Sequence, residues 1–266
     1  MTETVASFGA LTRAAAAAAA AYRGRLVAGL LTTFFPLLLM AVWLTVVASS
    51  GPPRGWTTSD FVPYYAAAAV LWHLSGHDVI WQWDADIRSG EFSTRLLRPV
   101  HPFWQYAAHD VGQRLVVLGL AAPVFVVATI TLPQLGYHLT VFRAVATGVA
   151  VLLAYAIGIT MASLVALLGF WSTQTTNVWM LWWGVGSFAS GWIAPLDVMP
   201  EWLHSAASWL PFRSTMGFPV ELMMGRLSTA ATAFGFAVAV GWLAVFAAVY
   251  PAIWRPGLRR HQAVGG

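Results

Sequence analysis

Six stretches of this chain are long and apolar enough to cross a lipid bilayer as helices, and few folds can accommodate that. A hydrocarbon core of roughly 30 Å needs about 20 apolar residues in helical form. The stretches are Leu26–Val47, Phe61–Ile80, Leu115–Leu132, Ala144–Trp171, Val178–Ala194 and Ala230–Trp254, the fifth being short. Only 9% of the 266 residues are charged, against about 25% in a soluble domain. Most of the surface must therefore face something other than water. The expected fold is an all-α integral membrane protein of six transmembrane helices, a single domain over residues 1–266 with no internal repeat or flexible linker.

Alternating the intervening loops between two sides places ten arginines together: Arg13, Arg23, Arg25, Arg88, Arg95, Arg98, Arg114, Arg255, Arg259 and Arg260. Arg54, Arg143, Arg213 and Arg226 fall opposite. The bias, concentrated near span ends, orients both termini to the cytoplasm. Upstream of the first span, eight alanines (Ala14 to Ala21) precede Arg23 and Arg25. Those charges do not suit a signal-peptide cleavage region, so an Ala-rich interfacial helix is expected there. Tryptophans and tyrosines gather where the interfaces should lie, among them Trp56, Tyr64, Trp81, Trp171, Trp202 and Trp254. On the fourth span Ala154, Gly158 and Ala162 form a small-residue row that permits close approach of another helix, in this chain or in a second copy.

What the chain lacks is equally informative. It has no lysine and no cysteine. A phosphate-binding P-loop requires the lysine of G-x-x-x-x-G-K-[ST], so ATP-driven work would need another subunit. Schiff-base and thiolate catalysis are excluded on the same grounds. No H-E-x-x-H, G-x-S-x-G or aspartate-rich diphosphate motif is present, so no catalytic residues are assigned. No basic stripe with interleaved aromatics points to nucleic acid. Within the spans only His73, His77 and Asp78 are ionisable. His73 and His77, at i and i+4, would share a helix face as two zinc ligands do, but no third ligand follows at a fixed spacing. The other reading is a polar, water-accessible helix end, and no metal site is assigned.

Two segments between spans carry more pattern than a connector needs. In the cytoplasmic loop Trp81–Arg114, Asp84 and Asp86 precede a helix-capable run, Ile87 to Leu97, that Pro99 ends. Its apolar stripe and flanking charges suit either docking into a soluble partner's groove or a solvated helix that steadies the span ends. On the outer side, Pro200 opens a short helix with Trp202, Leu203, Ala206, Trp209 and Leu210 on one face. A second is expected from Pro219 to Met224, with Gly225 as its stop. Neither is long enough to cross a bilayer, so both should lie in the interface or re-enter it, as a gate or as a simple cap.

These segments resemble the permease subunits of ABC-2-type ATP-binding-cassette exporters, in particular compact permeases of about 260 residues. Ile87–Pro99, I-R-S-G-E-F-S-T-R-L-L-R-P, is similar to the family's I-x-x-G-x-[LF]-x-x-x-L-x-[RK]-P segment. P-L-D-V-M-P-E-W-L at Pro195–Leu203, L-P-F at Leu210–Phe212, F-P at Phe218–Pro219 and Tyr22-Arg23 before the first span complete the likeness. The resemblance implies a bacterial inner-membrane complex with lipid around it. Two permease chains, identical or paralogous, would pair with two cytoplasmic ABC ATPases that bind ATP and Mg. No cofactor would belong to this chain. Ile87, Arg88, Gly90, Glu91, Arg95, Arg98 and Pro99 would couple to the ATPase, with the charges meeting the partner and Gly90 and Pro99 directing the chain. Trp202, Trp209, Phe212 and Pro219 would belong to an outer gate. Thr173, Gln174, Asn177, Trp182 and Trp183 are the candidates for a substrate path, because aromatic walls suit flat or cationic amphiphiles. A membrane-embedded lipid- or glycan-processing enzyme and a non-ABC channel or scaffold subunit are the alternatives. The substrate is left open.

Overall fold

Apolar runs in lipid can satisfy their backbone only within the segment, and every regular element among the described residues of the computed structural model is helical. The structure describes residues 2–264 apart from 22, 23, 25, 26, 28, 30, 54, 76, 77, 133, 134, 136, 138 and 173, with side chains between residues 6 and 261. Tyr22, Arg23, Arg25, Arg54, His77 and Thr173, singled out in the sequence, lie outside the described residues. In chain order the helices are α1 (Thr2–Ala21), α2 (Phe34–Ser50), α3 (Phe61–Ser75), α4 (Val79–Ser89), α5 (Glu91–Leu96) and α6 (Pro102–Thr131). There follow α7 (Val141–Leu167), α8 (Thr175–Ala189), α9 (Glu201–Trp209), α10 (Pro211–Thr215), α11 (Gly217–Met224) and α12 (Thr229–Val264).

Among the described residues, three segments are long and apolar enough to cross a membrane outright: Pro102–Thr131, Val141–Phe170 and Thr229–His261. The helices at the expected first, second and fifth spans are shorter, at 17, 15 and 15 residues for α2, α3 and α8. The chain is an all-α membrane protein.

α7 is the hub. Of its most apolar stretch 56% is buried within the chain, against 6% for α6 and 22% for α12. Ala154, Gly158 and Ala162 are all buried, so the neighbours admitted by the small-residue row are helices of the same chain. The apolar flanks of α6, such as Val124 and Ile130, are left exposed, as a lipid-facing helix requires.

Three boundaries differ from the sequence expectation. The second span, expected over Phe61–Ile80, is not one helix: α3 stops at Ser75, Asp78 has φ −115° and ψ 12°, and α4 starts at Val79. Glycine is a poor helix former and aspartate favours the position before a helix, so S-G-H-D breaks a run that apolar content alone joins. The third span begins at Pro102, not Leu115, because proline suits the first helical position and His101 Nδ1 accepts the Phe103 amide at 3.2 Å. That shift places Asp110 and Arg114 inside α6, so the spanning segments carry ionisable residues beyond those expected from the sequence.

The Ala-rich α1 packs along α6. A Cβ at Gly112 would stand 2.5 Å from the Thr12 carbonyl oxygen and 2.7 Å from the Ala15 Cβ. Small residues on both helices thus allow near backbone contact. Gly112→Val should push α1 off α6 and lower stability by about 1–3 kcal/mol, read as an earlier thermal transition in tryptophan fluorescence. Gly119→Val, where a Cβ meets nothing within 4 Å, should not lower it.

Candidate functional site: an exposed turn tied to a tryptophan groove

α4 and α5 form a hairpin-like projection whose buried side is aromatic and whose tip is polar. Gly90 closes α4 and opens α5 with φ +81°, a left-handed conformation that a Cβ disfavours. Phe92, fully buried just beyond it, meets Phe170, Trp254 and the His261 ring at centroid distances of 5.4, 6.0 and 5.3 Å. The C-terminal end of α12 thereby supports α5, and Ser93 Oγ is 3.1 Å from His261 Nε2.

A polar lattice holds the base of the projection. Asp86 is buried, paired with Arg95 Nε, and accepts the Tyr106 hydroxyl at 2.8 Å. The Arg95 guanidinium also lies 4.3 Å from the Tyr106 ring centroid, and Trp83 stacks on that ring at 4.4 Å. Gln105 donates to the carbonyls of Arg95 and Val100 at 2.9 and 2.7 Å and accepts from Arg98 at 3.4 Å. Arg88, Ser89, Gly90, Glu91, Leu97, Arg98 and Pro99 are left exposed. Arg95 is not: it is spent inward on Asp86, so it does not offer its charge to a partner as the sequence reading had it. The expected single helix from Ile87 to Leu97 is likewise two helices joined at Gly90.

Asp84 joins this projection to α8. Asp84 is 1% exposed and forms an ion pair of 2.5 Å with Arg88. It also accepts the hydroxyl of Thr175, the first residue of α8.

α8 carries Trp179, Trp182 and Trp183. Trp179 and Trp183 line a groove of about 750 Å³ together with Trp72, Trp81, His73, Asp78, Asp110 and Arg114. A smaller cavity of about 80 Å³ adjoins it, sharing Trp72, Trp179 and Trp183 and adding Trp182, Trp192 and Phe212. Trp72 stacks on Trp192 at 4.7 Å and donates to Thr32 Oγ1 at 3.2 Å. The polar wall is a network: Arg114 Nε pairs with Asp110 at 2.8 Å, and Tyr155 donates to Asp110 at 3.1 Å. The Asp78 amide also bonds Asp110, at 3.0 Å, and His73 Nε2 is 2.7 Å from Thr33 Oγ1.

On the opposite side of the smaller cavity, Phe212 in α10 packs on Trp182 at 4.9 Å and directly over Gly186. Tyr64 and Tyr65 of α3 donate to the carbonyls of Gly191 and Ile193 at 2.6 and 2.8 Å, and Arg213 pairs with Glu221 at 2.5 Å. These contacts fasten the connector after α8 to α3 and join α10 to α11.

A family model described as ABC-2 family transporter protein matches residues 30–265. The chain belongs to the ABC-2 transporter family. Comparison with curated proteins gives no match. Membership makes the chain a multi-pass permease subunit of an ABC transporter, a family that associates with ATP-binding-cassette ATPase subunits.

Of the permease residues expected on a substrate path, Trp182 lines the smaller cavity and Trp183 lines both. Gln174 and Asn177 line neither; they bond each other at 2.6 Å at the start of α8. Of the expected outer-gate residues, Phe212 and Pro219 are buried, whereas Trp202 and Trp209 are 71% and 67% exposed. The buried side of α9 is formed around Ala207 instead. Sequence reasoning missed Trp72, Trp192, Asp110 and Arg114. The i, i+4 pair Asp110/Arg114 was readable as one helix face, had the third span been extended to Pro102. Trp72 and Trp192 are brought together only by the fold.

Asp86→Ala should strand the inward guanidinium of Arg95 and lower permease stability by about 3 kcal/mol. Arg88→Ala takes the counter-charge from the buried carboxylate of Asp84 and should cost at least as much. Chemical unfolding in detergent checks the order of the two.

Proposed function

We propose that this chain is the permease of an ATP-driven exporter, with six spans and both termini cytoplasmic, in a bacterial inner membrane. It pairs with a second permease, identical or paralogous, and with two separate ABC ATPases. Those ATPases bind the ATP and Mg and perform the hydrolysis; this chain is not an enzyme. The absence of lysine supports that division, since no P-loop can be built here.

The observation that carries the reading is the exposed turn Arg88–Glu91 joined through Asp84 to Thr175 of α8. A partner seated on the turn pulls on α4 and α5, and Asp84 passes that displacement to the helix bearing the groove's tryptophans. Trp72, Trp179 and Trp183 then form walls of the substrate path, with Phe212 at the constriction beyond them. Direction outward, toward the side of α9 to α11, rests on family likeness and on that placement of Phe212.

Among the described residues, Glu91→Arg alters an exposed side chain that has no side-chain bond, and Arg98→Glu alters an exposed one whose only bond is the long one to Gln105 at 3.4 Å. Each should abolish copurification of the ATPase while the permease still inserts and keeps its thermal transition. Undiminished copurification in both variants contradicts the docking assignment.

A further inference from the structure

Asp78 occupies the position before α4 where an aspartate ordinarily caps the helix, yet its carboxylate makes no capping hydrogen bond. It is exposed and lines both the groove and an adjoining cleft of about 380 Å³ that includes Trp81 and His109. The other formal charges on these walls are compensated: Asp110 and Arg114 hold each other, and Arg114 also reaches the His73 carbonyl at 3.4 Å. Among the described residues, Asp78 therefore carries the one unpaired charge on the groove. Two aromatic side chains line the same groove, Trp81 and Trp183, each 45% exposed.

We propose that the groove selects amphiphiles bearing a single positive charge, with Asp78 as counter-ion and Trp81 and Trp183 as the faces that receive the charged apolar body. This rests on the reading of the groove as the substrate path. A tryptophan face is the most favourable aromatic surface for a cation, and it repels an anion. An anion would also meet the Asp78 carboxylate, and Arg114 could serve it only by releasing Asp110. A neutral ligand would desolvate Asp78 without compensating it. The groove's volume of about 750 Å³ suits a ligand of drug size.

Tetraphenylphosphonium and tetraphenylborate share a shape and differ in the sign of charge, so they isolate this property. Equilibrium binding of each radiolabelled ion is measured on the detergent-solubilised complex of permease and ATPase. Wild type should bind the phosphonium saturably. Asp78→Asn should weaken it about tenfold, Asp78→Glu should retain it, and Trp81→Ala should weaken it several-fold. The borate should show no saturable binding to wild type. Equal phosphonium affinity in wild type and Asp78→Asn, absence of saturable binding, or tighter binding of the borate overturns the proposal. ATPase copurification, scored on the same preparations, reports separately on the exporter reading: a complex that assembles but does not discriminate charge refutes cation selection alone.

Discussion

A carboxylate as deeply buried as Asp84 must be met by charge or hydrogen bonds, and the way it is met organises the end of this protein that carries α4 and α5. Arg88 answers it from the exposed end of α4, and the Thr175 hydroxyl answers it from the first turn of α8. A link through an apolar contact could slide. A buried, charge-assisted hydrogen bond is short and directional, and breaking it strands the charge. The exposed turn and the tryptophan-bearing helix are thus joined through Asp84 by a contact that resists being pulled apart. Asp86 plays a companion role inside the projection, holding Arg95 and Tyr106 so that the turn keeps its shape.

Above this, the bundle is arranged around α7, which gives its surface to the chain, while α6 gives most of its surface to lipid. Helices in hydrocarbon gain little from hiding apolar area, so close approach and polar bonds must hold them together. Small residues supply the first along Ala154, Gly158 and Ala162, and at the meeting of Gly112 with α1. Tyrosine and tryptophan hydrogen bonds supply the second: Trp43, Tyr64 and Tyr65 all reach the carbonyls of Gly191 and Ile193, just beyond α8. α8 is therefore tethered at both ends. Between the tethers its tryptophans line the groove.

The fold class, the three longest helices and the position of the exposed turn at Gly90 were legible in the sequence. Each depends on local content: apolar length for the spans, and a glycine and a proline at fixed offsets for Ile87–Pro99. The break after Ser75 was not legible from hydropathy, because Ala, Val and Leu on one side and Val and Ile on the other outweigh a single S-G-H-D in the sum. Asp110 and Arg114 were assigned to a loop for a related reason: α6 enters its apolar stretch only after several polar turns. Arg95 shows a different limit. Its type and spacing match Arg88 and Arg98, and only the folded position of Asp86 turns it inward. The groove is the least local feature, since Trp72 and Trp192 stack across a long stretch of chain. Trp182 and Trp183, by contrast, are neighbours in the sequence and sit together on one helix.

The chain contains no cysteine, so a single introduced thiol can report on the groove without background. Gly184 lines the groove, and a Cβ there meets nothing within 4 Å. The direct measurement is the alkylation rate of Gly184→Cys in the assembled complex with and without ATP and Mg, alone and combined with Thr175→Val. If the Asp84–Thr175 bond transmits motion, ATP changes the rate in the first protein and not in the second, while the ATPase remains bound to both. A full ATP response in the Thr175→Val background, or none in either, would contradict it.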